Sequence, residues 1–387
     1  MKLSEDTPLV LSASRTKDMV RRSPEALAKI LLGKAPCNWG PHGPSGRVDP
    51  AGLHAVVLWT KDPRNLLRHE ALRSALAELR ERYGVLLSLE VTATGLGGSF
   101  VEPGLPPWRE AAGAVRETIA AGLTVPEAVI YRYDPFLALR TPGGRVVTNA
   151  RMEVFAPVCS AFLDLGVKRV VASRGDAVRY PRVADRVRGL GLEWIALADE
   201  AALELGREMA AFCRAREADF HFCCDPPDPG LSTNWGCIDG KWLNEIKRSL
   251  SGTRMDSMSP PKITPGSPGT RMNSMSPPKI TPGSPGTRMN SGALLQPQVA
   301  EATEVLHNRI GKQRPACRCT YSRDAGYSPG SAGCYSGGFG CLYCYAQGKA
   351  SPPHPERIRE EIAAYDRDPA GYAKERGLVE GIAPAQE

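Results

Sequence analysis

Up to residue 223, short apolar runs alternate with longer stretches whose apolar residues recur every three or four positions. The short runs are Leu9–Ala13, Ala55–Thr60, Leu86–Thr92, Ala128–Tyr133, Arg169–Ser173 and Phe220–Cys223, and their β-branched and aromatic content predicts strands. Pro63–Tyr83, Trp108–Ala121, Glu153–Leu165 and Asp199–Arg216 place apolar residues at helical spacing with charges opposite, which predicts amphipathic helices. Six strands separated by helices imply an α/β fold around a parallel sheet, either open and doubly wound or closed as a (β/α) barrel.

Polar and reactive side chains gather where each run finishes: Ser12 and Arg15; Trp59, Thr60 and Lys61; Glu90, Thr92 and Thr94; Arg132, Tyr133 and Asp134; Ser173 and Arg174; Cys223, Cys224 and Asp225. In a (β/α) barrel all C-terminal strand ends open on one face, and chemistry is placed there. Any one cluster is explained by a strand leaving the core for solvent. Their succession favours a barrel, or a partial barrel of about six parallel strands. It predicts a cofactor or substrate pocket lined by Ser12, Arg15, Trp59, Lys61, Thr92, Arg132 and Asp134.

Residues 252–291 break this pattern. GTRMDSMSPPKITPGSP is followed by GTRMNSMSPPKITPGSP and a partial third copy, GTRMNS. A unit with one isoleucine, two methionines and four prolines buries too little to offset its ordering entropy. The chain is therefore expected to divide into a barrel-like domain (1–249), a disordered Pro/Ser/Gly tandem-repeat insertion (250–295) and a Cys-rich segment (296–387) whose terminal helix, Glu356–Tyr365, docks on the barrel. Of the net charge of +7, four units fall within 252–291, where Arg254, Lys262, Arg271, Lys279 and Arg288 face Asp256 alone. A basic surface for nucleic acid is thus not established by charge. No apolar run reaches membrane-span length, and the N-terminus lacks the apolar stretch of a secretory signal, so a cytoplasmic protein is expected.

Five of the eleven cysteines fall between Cys317 and Cys344, in the run CRCTYSRDAGYSPGSAGCYSGGFGCLYCYA. Cys341 and Cys344 have two residues between them and glycines around them, a spacing that turns two thiolates onto one ion or one cluster face. An iron–sulfur site, a zinc knot and a disulfide hairpin all fit this local pattern, with iron–sulfur favoured.

Several short motifs occur in order: SASR (12–15), WTKDP (59–63), TATG (92–95), EPGLPP (102–107), YRYDP (131–135), FCCDP (222–226), GCIDG (236–240), CRCTYSRDAGY (317–327) and GCLYCYA (340–346). The series resembles a bacterial domain-of-unknown-function family whose C-terminal cysteine cluster is similar to that of radical S-adenosylmethionine (radical SAM) enzymes. The resemblance implies a 4Fe–4S cluster on Cys334, Cys341 and Cys344, with one iron left to chelate S-adenosylmethionine. Reduction of that ligand would release a 5′-deoxyadenosyl radical. It also implies an electron donor such as ferredoxin or flavodoxin. Two departures stand out. Residues 14–19 read Ser-Arg-Thr-Lys-Asp-Met where the family carries a double arginine and an Asp-Ile. Six residues separate Cys334 from Cys341 where radical SAM enzymes have three, and Gly337 holds the usual cysteine position. The loop lies at the end of the chain rather than after the first strand, which implies a circularly permuted barrel with the terminal segment beside the first strand.

Cys223, Cys224, Cys237, Cys317 and Cys319 remain for a second metal site, another cluster or zinc, while Cys37, Cys159 and Cys213 read as core thiols. GCLYCYA is also similar to the spore photoproduct lyase group, which implies nucleic acid as one candidate partner. Competing classes are a zinc-stabilised barrel hydrolase, in which Asp134, Asp225 and His221 would matter, and a non-catalytic iron–sulfur or zinc scaffold or sensor. The sequence names no substrate.

Overall fold

The computed structural model describes residues 9–15, 17–39, 44–223, 231, 235–257, 319–320, 322–327, 334, 340–346 and 354–382, with backbone alone for 252–257 and 326–327. The strands among them are β1 (Leu9–Ala13), β2 (Cys37–Trp39), β3 (Ser45–Gly46), β4 (Leu53–Thr60), β5 (Leu86–Thr92), β6 (Val129–Phe136), β7 (Ala138–Arg140), β8 (Val146–Thr148), β9 (Arg169–Arg174), β10 (Glu193–Ile195), β11 (Asp219–Phe222) and β12 (Arg323–Tyr327). The helices are α1 (Met19–Arg22), α2 (Pro24–Leu31), α3 (Asn65–Arg68), α4 (Glu70–Tyr83), α5 (Trp108–Ala120), α6 (Met152–Leu163), α7 (Pro181–Gly189), α8 (Asp199–Ala215), α9 (Gly240–Ser257), α10 (Pro355–Arg367) and α11 (Pro369–Glu375).

A nine-stranded sheet runs β11-β9-β6-β5-β4-β1-β12-β2-β3, and a small antiparallel sheet runs β10-β7-β8. From β1 to β11 the parallel strands follow one another in chain order, with no reversal of direction across the sheet. Six parallel strands were expected, and β12 makes a seventh. It pairs with β1 in parallel, Ser12 opposite Asp324, so the C-terminal segment does lie beside the first strand. The other edge of β12 is taken by antiparallel β2, and among the described residues β11 pairs with β9 alone. Strand pairing among the described residues therefore gives a mixed α/β architecture with a mostly parallel sheet, and it shows no closed ring.

Strand side chains alternate between two faces. Leu11, Val56, Leu58, Leu87, Leu89, Tyr131, Val170 and Phe220 point to the larger core, where Leu76 of α4, Val115 of α5, Phe162 of α6 and Met209 of α8 pack against them. The helices are built for this burial. In α4, Leu72, Ala75, Leu76 and Leu79 form one apolar stripe, and Gly84 ends the helix at φ 61°, a left-handed conformation that glycine adopts without a Cβ clash. The opposite face is covered from the α9 side. Val10, Ala55, Val57, Leu86, Ile130 and Val171 meet Trp235, Ile238, Trp242, Leu243 and Ile246 in a second core.

Because α9 runs to Ser257, regular structure continues past residue 250, where the insertion was expected to begin. The remainder of 250–295 lies outside the described residues. At the C-terminus, Phe100, Tyr365 and Tyr372 form an edge-to-face cluster that seats α10 and α11. Thr148 N–H donates to the Ile382 carbonyl at 3.0 Å. No helix among the described residues is long and apolar enough to cross a membrane.

Candidate functional site

Toward the C-terminal ends of the parallel strands the α9 face changes from apolar to polar. Trp59 Nε1 donates to Ser12 Oγ at 3.1 Å, and two guanidiniums approach the indole, Arg15 at 5.1 Å and Arg132 at 4.8 Å from its centroid. Arg132, buried on β6, pairs with Asp134 and with Glu90 Oε2 at 3.4 Å, and Ser173 donates to Asp134. Lys61, just beyond β4, donates to the Asp134 carbonyl at 3.2 Å and to Glu102 Oε1 at 3.1 Å. Thr92 lines a small pocket shared with Lys61, Thr94, Gly97 and Glu102. A Cβ on Gly97 would come within 2.1 Å of the Pro106 carbonyl oxygen, so glycine alone allows this loop to close. The structure thus brings Ser12, Arg15, Trp59, Lys61, Arg132 and Asp134 into one connected network, and Thr92 joins through the pocket beside Lys61.

Charges of both signs are buried here, and pairing fixes their states. Burial opposes the charge on Lys61, but Glu102, Cys341 and Asp134 outweigh it and hold its ammonium above the ordinary range. Burial likewise opposes ionisation of Asp134, yet Arg132 and the Ser173 hydroxyl hold its carboxyl below the ordinary range. Glu90 goes the other way: burial and the nearby Cys237 sulfur push its carboxyl well up, against the pull of Arg132.

One cysteine group stands at the edge of this network. Asp18 N–H donates to Cys334 Sγ at 3.1 Å. The Asp18 carboxylate accepts from Arg21 N–H, Thr60 Oγ1 and Lys61 N–H, tying the start of α1 to the end of β4. Its burial raises its pKa to about 6, against those backbone donors. Cys341 feels the charges of Glu102, Lys61, Cys344 and Cys334, and burial raises its thiol most. The 341–346 turn is clamped. Leu342 is fully buried, its N–H donates to the Val101 carbonyl at 2.9 Å, and Arg186 donates to the Leu342 and Cys344 carbonyls at 2.7 and 3.1 Å. Tyr343 donates to Glu102 and lies 5.3 Å from Lys61, while Tyr345 stacks on Tyr180 at 5.0 Å.

The second group comes from three segments. Cys223 follows β11, Cys237 precedes α9 and Cys319 precedes β12. Cys223 and Cys319 donate hydrogen bonds to the Cys237 sulfur, which also accepts from Arg132 Nη1 at 3.0 Å. Those two thiols lower the Cys237 pKa most, with help from Arg132 and His221 against burial. His221 itself lies on β11 with its ring 5.1 Å from Trp235. Cys224, Asp225 and Cys317 lie outside the described residues. Among the described residues no group of three or more His, Cys, Asp or Glu is arranged to hold a metal ion. Cys37, Cys159 and Cys213 are buried in the larger core, as their apolar surroundings predict.

Three participants escape a reading of strand ends. Glu102 sits in a turn after β5, Asp18 caps a single-turn helix, and Arg186 lies in a charged helix where an arginine ordinarily faces solvent. Only Asp18 carried a local signal, an acidic residue directly before an apolar pair. A family model described as Domain of unknown function (DUF1848) matches residues 10–262. That span holds β1 through α9 and the whole polar network apart from the C-terminal cysteines. No curated protein matches the chain.

Proposed function

The chain belongs to the DUF1848 family, and from that premise we propose that it is an iron–sulfur enzyme of the radical SAM type. Cys334, Cys341 and Cys344 would hold a 4Fe–4S cluster at the C-terminal end of a partial (β/α) barrel. The observation that carries this reading is the meeting of these three cysteines with Lys61, Glu102 and Asp18 beside a sheet in sequential parallel order.

When bound, such a cluster supplies one electron to the sulfonium of S-adenosylmethionine, giving methionine and a deoxyadenosyl radical that takes hydrogen from a substrate. This chain's residues supply the surroundings. The Arg186 clamp and buried Leu342 hold the turn that carries Cys341 and Cys344. Asp18 N–H orients Cys334, and Lys61 places a cation beside Cys341. Arg15, Arg132 and Asp134 offer opposite charges at one mouth, which suits a ligand carrying a carboxylate and an ammonium.

The test is anaerobic reconstitution of the full chain with iron and sulfide, followed by electron paramagnetic resonance of the dithionite-reduced protein. The reading expects a cluster signal whose line shape changes on adding S-adenosylmethionine. A signal indifferent to S-adenosylmethionine would favour a non-catalytic iron–sulfur protein.

A further inference from the structure

Cys159 and Cys237 each touch another thiol, in opposite surroundings. In the larger core Cys159 shares a hydrogen bond with Cys213, both are buried, and burial pushes the Cys159 thiol well up against the pull of Arg216. Beside α9, Cys237 is in contact with Cys223 and Cys319, and a guanidinium joins them: Arg132 Nη1 donates to Cys237 Sγ at 3.0 Å. The geometry points to a peroxide-reactive dithiol at this second place, with Cys237 as the nucleophile and Cys319 as the thiol that resolves it. It does not depend on the reading of Cys334, Cys341 and Cys344.

Cys237 and Cys319 come from either side of the tandem repeat, and hydrogen bonds hold their segments together. Thr320 N–H donates to the Ile238 carbonyl and Gly240 N–H to Thr320 Oγ1, both at 2.8 Å. The residues that follow the two cysteines are thus bridged, and a bond between sulfurs already in contact asks for little backbone movement. Cys223 reaches the same sulfur from the end of β11, where its N–H donates to the Ala172 carbonyl at 2.8 Å. A thiolate attacks peroxide far faster than a thiol, and a cation and hydrogen-bond donors favour the thiolate. Cys237 has both: the Cys223 and Cys319 thiols lower its pKa most, and Arg132 and His221 assist against burial. Glu90 does not compete for Arg132 as a full carboxylate, because burial and the Cys237 sulfur push its carboxyl well up. Cys237 is itself buried, but Cys223 and Cys319 are partly exposed, which leaves a small oxidant a way in.

Attack of the Cys237 sulfur on one oxygen of hydrogen peroxide breaks the O–O bond. It leaves a sulfenic acid on Cys237 and releases the other oxygen as hydroxide, which takes a proton to become water. The Cys319 sulfur then bonds to the Cys237 sulfur, the S–O bond breaks, and the departing oxygen takes the Cys319 proton to leave as a second water. Two thiols are oxidised by two electrons, and one peroxide is reduced to two waters. A reducing dithiol restores both cysteines by thiol–disulfide exchange.

The experiment exposes the full chain, purified anaerobically, to a few equivalents of hydrogen peroxide in chelating buffer, blocks the remaining thiols and maps disulfides by mass spectrometry of unreduced peptides. A Cys237–Cys319 linkage should form at least about tenfold faster than a Cys159–Cys213 linkage, and dithiothreitol should undo it. Cys319→Ser should abolish the linkage and leave Cys237 as a sulfenic acid that dimedone labels. Arg132→Gln should slow the loss of the Cys237 thiol about tenfold, and Arg132→Lys, which keeps the charge, should recover most of that rate. The linkage should form equally fast in a variant with Cys334→Ala, Cys341→Ala and Cys344→Ala; its loss there would trace the reaction to the other cysteine group and overturn the inference. A Cys237 thiol no more reactive than that of Cys159, a bond from Cys237 to a different cysteine, or zinc or iron held by these cysteines in the purified chain would each overturn it as well.

Discussion

The two faces of the main sheet obey different rules although they share every strand. The larger-core face is predominantly apolar, and helices α4, α5, α6 and α8 pack over it. The α9 face is apolar only in its lower half; above Val57, Ile130 and Val171 it carries Trp59, Glu90, Arg132, Asp134 and Ser173. Buried polar groups cost stability unless they are paired, so one face is arranged for cohesion and the other holds its buried charges in pairs. The cysteine groups follow the same division. Cys159 and Cys213 lie in the larger core, while Cys237, Cys334 and Cys341 border the polar layer.

The sharpest break of this contrast is a cavity on the cohesive face. Phe162 is fully buried and stacks on Tyr131 at 4.4 Å. Phe162→Ala should cost about 3–5 kcal/mol in chemical denaturation, while iron bound per folded chain stays unchanged. A loss confined to iron binding would show that the faces are not separable in this way.

The complementary change removes charge from the other face. In Arg132→Gln combined with Asp134→Asn, two paired groups become neutral together. Stability should fall by no more than about 2 kcal/mol, whereas S-adenosylmethionine cleavage should fall at least about tenfold. An unaltered cleavage rate would reduce the Arg132–Asp134 pair to a structural salt bridge.

A pH titration gives a smaller effect at the base of the sheet. His54 is buried, and burial together with Lys247 lowers its pKa from 6.5 to about 4. The unfolded chain therefore binds a proton that the folded chain refuses between those values. Stability from this group is complete above pH 6.5 and is lost as pH falls toward about 4. The melting temperature should decline across that window, and His54→Gln should flatten the decline. An identical slope in the variant would place the effect elsewhere.

Much of the sheet was legible from pattern because both faces are apolar for part of each strand. β1 and β5 match their expected limits, and β4, β6, β9 and β11 differ by a few residues at their ends. The expected helix at 63–83 is divided, since His69 is extended at φ −92°, ψ 105° between α3 and α4. β12 was not legible: Arg-Asp-Ala-Gly-Tyr has no apolar alternation, and its strand form comes from pairing with β1 and β2. In α9, Trp242, Leu243 and Ile246 carry a helical period, but it is a short one between the cysteine motif before them and the repeat after them. The mouth residues were visible as strand ends. Glu102 and Arg186 were not, because a turn carboxylate and a helical arginine become site residues only through contacts far along the chain.

The weakest expected effect lies in the tandem repeat, whose units offer little apolar surface. Because α9 extends to Ser257, the deletion that tests this spans 258–291. It should shift melting by no more than about 2 °C and leave iron content unchanged. A large shift would show that the repeat packs on the domain.

The polar mouth as a radical SAM site is tested most directly by product analysis. Reconstituted, dithionite-reduced protein mixed with S-adenosylmethionine should release 5′-deoxyadenosine and methionine in equal amounts, and Cys341→Ala should release neither while melting like the unsubstituted chain. If the reconstituted protein carries its full iron and sulfide yet forms no 5′-deoxyadenosine, or if it retains zinc alone, the account of this mouth is wrong.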